Sequence, residues 1–261
     1  MADKKKQTDN LDYIKKIMEL CLLDDDFMSV VFEKKELAEF LLRVILEIPD
    51  LTVVYSKTQH NLKNLYGRSV RLDILAKDST GKIYNIEVQR DDRFANPERA
   101  RLNSSLIDAN FSQKGKKGKT LPETYVIFIT ENDVLRDNQP IYRIDRRIEG
   151  SNRLFGDRAH IIYVNGENRE DTALGHLMAD FASKDPDKVY YKELADEIRY
   201  YKYDEKGVRR MCKIMEDVRN EGKKEVALEL IALGKLSLKE IAKCTSLPLS
   251  EIKALAKKKS A

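Results

Sequence analysis

Residues 71–90, RLDILAKDSTGKIYNIEVQR, constrain the fold more than any other part of the chain. Two β-rich stretches flank DSTGK, which suits a three-residue hairpin loop whose glycine supplies a positive φ. Such a loop pairs Asp78 with Lys82. Counting back along both strands then places Asp73 opposite Glu87, with their Cβ atoms on the order of 5 Å apart. A slip of one residue would remove this pairing.

The predicted register collects polar side chains on one face of the hairpin. Because side chains alternate along a strand, Asp73 shares its face with the amide and acid residues Asn85, Glu87 and Gln89. Like charges directly opposite each other destabilise a hairpin. Three explanations of the acidic pair stay open: a solvated face, compensation by Arg71 and Arg90 or a bound divalent metal. Mg²⁺ favours oxygen ligands and typically takes one or two carboxylates with several waters.

The order of elements around the hairpin predicts an α/β fold. A strongly helical stretch ends at Pro49, and the β-rich segments LTVVYS, SVRLDILA and KIYNIEVQ follow it. Asn96 and Pro97 form a suitable helix start, which predicts a helix to about Phe111. TYVIFIT is apolar on both faces, as expected of a covered central strand. The predicted core is therefore αβββαβ, and RAHIIYVNG is a candidate for one more strand.

The last part of the chain is helical and highly charged. We predict a first domain over residues 1–185 and a helical C-terminal region over residues 186–261. The segment LKEIAKCTSLPLSEIKALAKK resembles a helix-turn-helix pair, with a small core of Ile241, Ala242, Leu247, Ile252 and Leu255. Such a pair suits either reading of a DNA major groove or packing on a partner.

The hairpin and its flanking segments resemble the PD-(D/E)XK nuclease superfamily. An acid on one strand is followed by E-x-Q on the next, after one helix and before another. The glutamine in place of the usual lysine, with RLDILA and NIEVQ, is similar to the PD-(D/E)XK family transposases, also called recombination-promoting nucleases. The resemblance covers about residues 20–180 and extends to ERARLNSSLIDANF, LPETYVIFITENDV and LFGDRAHIIYVNG.

The resemblance implies a restriction-endonuclease-like fold, in which helices flank a mixed central sheet. It also implies metal-dependent hydrolysis of DNA phosphodiester bonds, in recombination or transposition, with Mg²⁺ or Mn²⁺ as cofactor. Carried onto this chain, Asp73 and Glu87 are the metal ligands. Gln89 takes the place of the lysine and orients the attacking water, although it lacks the positive charge of lysine. Glu36 is the candidate for an additional acid from the first helix.

Arg99 and Arg101, on the helix after the hairpin, are candidate DNA-binding residues, because arginine suits phosphate oxygens. An ordinary polar helix face explains them equally well. DNA is the expected partner, and a homodimer is a possible assembly. We expect no membrane association, since no apolar run is long enough to span a bilayer. Three scattered cysteines favour a reducing cytoplasm.

Composition does not decide between the functions that this fold can carry. Lys and Arg number 48 against 44 Asp and Glu, and a net charge of +4 does not by itself indicate nucleic acid binding. One alternative is a catalytically inactive DNA-binding or regulatory protein on the nuclease scaffold. Another is an interaction module with no nucleic acid partner.

Overall fold

The computed structural model describes residues 2–64, 69–112 and 121–259, which form two compact units. The core unit comprises Met18–Asp204. The terminal unit combines Met1–Ile17 with Glu205–Ala261. The division of the chain into residues 1–185 and 186–261 stays a prediction.

The described residues of the two units contain nine α-helices and six strands. The helices are α1 (Ala2–Glu19), α2 (Asp25–Val31), α3 (Lys35–Leu46), α4 (Pro97–Phe111), α5 (Ala173–Ala182), α6 (Lys192–Tyr203), α7 (Glu205–Leu233), α8 (Leu238–Thr245) and α9 (Leu249–Lys259). The strands are β1 (Val53–Leu62), β2 (Val70–Asp78), β3 (Ile83–Gln89), β4 (Thr124–Thr130), β5 (Ile141–Ile144) and β6 (Ala159–Asn165).

One mixed sheet organises the core unit. In the described ranges it has six strands in the order β1-β2-β3-β4-β6-β5. The first three strands are antiparallel neighbours, β4 and β6 continue parallel to β3, and β5 is antiparallel to β6. The sequence α3, β1, β2, β3, α4, β4 confirms the predicted αβββαβ core. The predicted α/β class, with a restriction-endonuclease-like mixed sheet, flanking helices and a helical C-terminal region, is confirmed.

The β2–β3 hairpin has the register that its turn predicts. Gly81 adopts a φ of 91°, and the Asp78 amide donates to the Lys82 carbonyl over 3.1 Å. The ladder runs from the pair Lys77 and Ile83 to the pair Ile74 and Ile86. The next residues toward the open end of the hairpin are Asp73 and Glu87. The predicted register is therefore confirmed as far as Ile74 and Ile86, the pair next to the two acids.

Apolar side chains cover the centre of the sheet. In β4, residues 126–129 are fully buried, which confirms the expected central strand. Leu106 and Ile107 of α4 pack in one cluster with Leu75 of β2 and Val126 of β4. The helix α4 begins as predicted, because the Asn96 side chain accepts from the Arg99 amide over 2.8 Å and Pro97 is the first helical residue. This packing fixes α4 against the hairpin.

A buried lysine joins the beginning and the end of the core unit. Lys202, near the end of α6, donates from Nζ to the carbonyls of Met18 at 2.9 Å and Leu20 at 2.6 Å. It also donates to the Lys184 carbonyl at 2.5 Å. Burial lowers the pKa of Lys202 to about 8. Three carbonyl acceptors satisfy all three ammonium donors, which accounts for a lysine in this buried place.

The C-terminal helices form the small core that the sequence predicts. Ile241, Leu247 and Ile252 are buried together with Ala227 of α7, and Ala242 and Leu255 pack against them. A capping box closes the start of α8: the Ser237 side chain accepts from the Glu240 amide, and the glutamate accepts from the serine amide. In the part of the chain that the structure describes, no helix is long and apolar enough to cross a membrane.

Candidate active site

The candidate site lies where strands β2 and β3 stop pairing. Beyond Ile74 and Ile86 the backbone ladder is replaced by bonds to acidic side chains. The Val88 amide donates to Asp73 Oδ2 over 2.9 Å, and the Asp73 amide donates to Glu87 Oε1 over 3.3 Å. Each carboxylate thus binds the backbone of the opposite strand. The structure brings together the two acids that the sequence places opposite each other.

Two asparagines support Glu87 from behind. Asn85 Nδ2 donates to Glu87 Oε1 over 2.7 Å, and Asn103 Nδ2 of α4 donates to Asn85 Oδ1 over 3.1 Å. Both amides are fully buried, and Asn103 Oδ1 has no partner among the described residues. The hairpin register predicts Asn85 on the polar face but not this relay to α4. The sequence signal for Asn85 is an amide two residues before the acid, on the same strand face.

Burial and like charge make the acidic pair hard to ionise. Burial raises the pKa of Asp73 to about 8, and the nearby charge of Glu87 adds to this rise. Burial also raises the pKa of Glu87, against the opposing effects of the Asn85 amide and the Arg99 guanidinium. A pair with these properties gains from any cation that approaches it, since the charged form is the one that a cation stabilises.

A cleft of about 910 Å³ opens in front of the pair. Asp73, Gln89 and Arg99 line it, so the structure places three of the predicted residues at one site. Glu87 is 0% exposed and is not among the lining residues. Its Oε2 accepts from Arg99 over 3.2 Å. In this conformation Arg99 lines the cleft and binds Glu87, while the glutamate itself does not line the cleft.

The arginine that compensates the acids is a different one from those nearest in sequence. Arg71 pairs with Asp25 at 3.7 Å, and Arg90 pairs with Asp24 at 2.9 Å. Compensation by Arg71 and Arg90 is therefore corrected to compensation by Arg99. The reason is the direction of their side chains: both reach the start of α2, whereas α4 carries its first turn over Glu87.

Two acids of α2 reach the cleft, while the predicted acid of α3 does not. Asp24 and Asp25 line it, and the charge of Asp25 contributes to the raised pKa of Asp73. Glu36 is exposed and is not a lining residue, because α3 buries Leu37 instead. Acids at a helix start commonly cap its free amides. The structure shows no side-chain capping bond for Asp24.

Arg101 lies two residues after Arg99 and points elsewhere. It is exposed and is not among the residues that line the cleft. On a helix, a spacing of two residues turns a side chain to a different face. The structure therefore brings together Asp73, Glu87, Gln89 and Arg99, and leaves Glu36 and Arg101 outside this group.

The donor set at the cleft suits a hard divalent cation. Asp73 and Glu87 offer carboxylate oxygens, and the Gln89 side chain offers an amide oxygen. Within residues 2–64, 69–112 and 121–259, no three His, Cys, Asp or Glu side chains form a ready-made metal cluster. Mg²⁺ requires fewer protein ligands than that, because it keeps several of its waters. The residues present therefore fit such an ion.

Comparison with known proteins assigns the family. A model of the PD-(D/E)XK nuclease family transposases matches residues 30–173, which include α3, the whole β1–β2–β3 meander, α4, β4 and β6. No curated protein and no solved structure matches the chain. The match spans more than half of the 261 residues and contains the acidic pair of the hairpin. The chain belongs to the PD-(D/E)XK nuclease family transposases, a family whose description indicates a nuclease role in transposition.

Proposed function

We propose that the protein is a metal-dependent endonuclease that hydrolyses DNA phosphodiester bonds in recombination or transposition. The observation that carries the proposal is the acidic pair at the open end of the hairpin. Asp73 lines a cleft, its backbone amide donates to Glu87 Oε1 over 3.3 Å, and burial raises the pKa values of both acids. A bound cation would relieve the repulsion that this arrangement maintains.

Each residue of the group has a distinct role in the proposal. Asp73 and Glu87 hold the divalent ion, and the ion supplies activation of a water and neutralisation of phosphate charge. Gln89 lines the same cleft and orients the attacking water, because its amide oxygen accepts a hydrogen bond. The Val88 amide keeps the Asp73 carboxylate directed at this place.

Asp25 takes the part of the additional acid in this proposal. It lines the cleft, and its carboxylate acts electrostatically on Asp73. The Gln59 side chain donates to Asp25 Oδ1 over 2.8 Å and holds it in place. Comparing Asp25→Asn with Glu36→Gln tests the assignment. We expect metal-dependent cleavage to fall in the first variant and to persist in the second, which is exposed outside the cleft.

A plasmid cleavage assay tests the activity itself. Supercoiled DNA is incubated with the protein and Mg²⁺, Mn²⁺ or a chelator, and nicked and linear products are quantified. We expect products with either metal and none with the chelator. Asp187→Asn is a matched control, since Asp187 is an exposed aspartate that pairs with Arg199 on the protein surface. No cleavage by the wild type with either metal would overturn the proposal.

A second candidate function rests on Gln89. A neutral amide stands where the superfamily usually has a lysine, so the strand itself brings no cation to the phosphate. A DNA-binding or regulatory protein on a nuclease scaffold would tolerate this change. It would bind DNA with an affinity that falls steeply with salt, and it would cleave under none of the metal conditions.

Two expectations about setting belong to the same proposal. The cysteines are all free of disulfides, which suits a reducing cytoplasm. A second copy of the chain is the candidate partner in a homodimer, which would present two cleavage sites to one duplex. Light scattering on the purified protein measures the mass in solution, and a monomeric mass with and without DNA would remove the dimer from the proposal.

A further inference from the structure

The charge of Glu87 is met by an arginine from the next helix. Arg99 Nη2 lies 3.2 Å from Glu87 Oε2, while Asn85 occupies the other carboxylate oxygen at 2.7 Å. Both oxygens of a fully buried acid are therefore engaged. Glu87 does not line the cleft, whereas Arg99 does, so a metal in the cleft reaches the buried acid only after one of these partners moves. The asparagine is fully buried, so the arginine, with 31% of its side chain exposed, is the partner able to move.

Arg99 is anchored through its backbone amide, while its guanidinium, paired with Glu87, is partly exposed. Its amide donates to the Asn96 side chain over 2.8 Å, which anchors the first turn of α4 at the edge of the cleft. Its guanidinium lies 5.9 Å from the centre of the Phe94 ring. Phe94 also lines the cleft and is half exposed. The long side chain can therefore change rotamer at the edge of the cleft while its backbone stays in place. The Phe94 ring offers a cation–π contact as an alternative to Glu87.

We propose that Arg99 supplies the positive charge that Gln89 lacks, pairing with Glu87 in the metal-free protein and turning to the DNA phosphate when Glu87 binds the metal. This inference rests on the proposed nuclease function. The planar guanidinium fork suits either partner, because it donates two parallel hydrogen bonds to a carboxylate or to a phosphate. The exchange keeps the site close to neutral before and after the metal binds. It also delivers a cation to the substrate only when the metal is in place.

A double-mutant cycle tests the pairing without any measurement of activity. Melting temperatures of wild type, Arg99→Gln, Glu87→Gln and the double variant are compared in chelator. We expect Arg99→Gln to lower the melting temperature by at least about 4 °C, because it leaves a buried carboxylate without its cation. In the Glu87→Gln background the same change should have little effect. Equal effects in both backgrounds would overturn the pairing.

Calorimetric titration with Mn²⁺ tests the exchange. If Arg99 must leave Glu87 before the metal binds, then Arg99→Lys, which has no fork, should bind the metal more tightly than the wild type at the same pH. We expect an increase of about three- to tenfold, the range of one weakened charge-assisted bond. An unchanged or lower affinity in the lysine variant would overturn the exchange.

Cleavage measurements test the catalytic part of the inference. Arg99→Gln should lose roughly 100-fold in rate at saturating metal, as when one preorganised donor is removed, and Arg99→Lys should recover part of it. Arg43→Gln is the matched control, since Arg43 pairs with Glu39 on α3 at 2.7 Å and does not line the cleft. A wild-type rate in Arg99→Gln would overturn the catalytic role. A wild type inactive with every metal would instead overturn the proposed function, and the melting cycle would still decide the pairing.

Discussion

Each end of the β2–β3 hairpin buries one aspartate, and the pKa values of the two are shifted in opposite directions. Asp78 stands beside the turn and is 5% exposed, while Asp73 stands at the open end and is 8% exposed. The pKa of Asp78 is lowered, and that of Asp73 is raised. Two aspartates of similarly low exposure on one strand thus have pKa shifts in opposite directions.

Hydrogen-bond donors lower the pKa of Asp78, whereas burial and the charge of Glu87 raise that of Asp73. Burial alone would raise the pKa of Asp78, but four donors reverse this effect. They are the Tyr84 hydroxyl at 2.7 Å, the hydroxyl and amide of Thr80 at 2.8 and 2.9 Å, and the Lys82 amide at 3.0 Å. Asp73 accepts from the Val88 amide and faces a second acid. A carboxylate with four donors shapes the turn, whereas one that has fewer donors and faces another acid is available to a ligand.

The largest effect should follow from Asp73→Asn, which removes the carboxylate charge that lines the cleft. We expect metal-dependent cleavage to fall by more than about 100-fold, since even outer partners of metal ligands contribute roughly 10–100-fold. In chelator the variant should melt at the same temperature as wild type or slightly higher, because repulsion with Glu87 is relieved. Mg²⁺ should stabilise wild type more than the variant. Early melting in chelator, or cleavage at the wild-type rate, would show that Asp73 is structural.

The converse change at the turn, Asp78→Asn, should act on stability. The amide keeps one acceptor oxygen and places two N–H donors among groups that already donate. We expect a loss of about 2 kcal/mol in the free energy of unfolding, typical of hydrogen bonds to a charged group. Urea denaturation in chelator measures this loss. Below the melting range the variant should cleave DNA like wild type, and a specific loss of cleavage would contradict the division of roles between the two ends.

The pH dependence of stability should be a smaller effect than either substitution. Its sign should be opposite for Asp73 and Asp78. The pKa of folded Asp73, about 8, lies above its ordinary value of 3.8. The contribution of Asp73 to the free energy of unfolding is therefore complete below pH 4 and declines as the pH rises toward 8. The pKa of Asp78 is lowered, so the stabilisation that Asp78 provides is present above pH 4 and is lost in stronger acid. Metal-free wild type should therefore lose at least about 1 kcal/mol between pH 5 and pH 8. Asp73→Asn should flatten this decline, and an equally steep decline in the variant would exclude Asp73 as its source.

The smallest effect on the hairpin should come from deleting residues 236–261. The deletion removes α8, α9 and most of the small apolar cluster around Ile241, which belongs to the terminal unit. The strands that bury the hairpin lie in the core unit. We expect no measurable change in the melting of the core unit, monitored by hydrogen exchange of the β4 amides. Aggregation of the shortened protein would show that the core unit depends on the tail.

The hairpin was predictable because its determinants are local. Glycine at position 81 supplies the positive φ of the turn, and the turn sets the register of every pair toward the open end. Strand β4 was equally predictable, since four consecutive buried apolar residues have few alternatives. Strand β5 is not predicted, because two half-exposed and two exposed residues at the sheet edge leave little hydrophobic pattern.

The surroundings of the acidic pair depend on tertiary packing and were harder to predict. Arg71 and Arg90 are closer in sequence to the acids, but their side chains bind the acids at the start of α2. The stretch before Pro49 was predicted as one helical run. In the structure it breaks into α2 and α3, and Asp25 at the start of α2 lines the cleft. No local pattern encodes how two helices dock on a sheet.

The bonds of Lys202 have a consequence for the connectivity of the chain. The lysine ties the carbonyls of Met18 and Leu20 to the end of α6, so the backbone enters and leaves the core unit at neighbouring points. A unit with adjacent ends behaves as a cassette, which another protein can accept within a surface loop without stretching either connection. The same adjacency makes residues 18 and 204 the natural pair to join by a short linker in a circular permutant, whose new termini could open at the Gly81 turn.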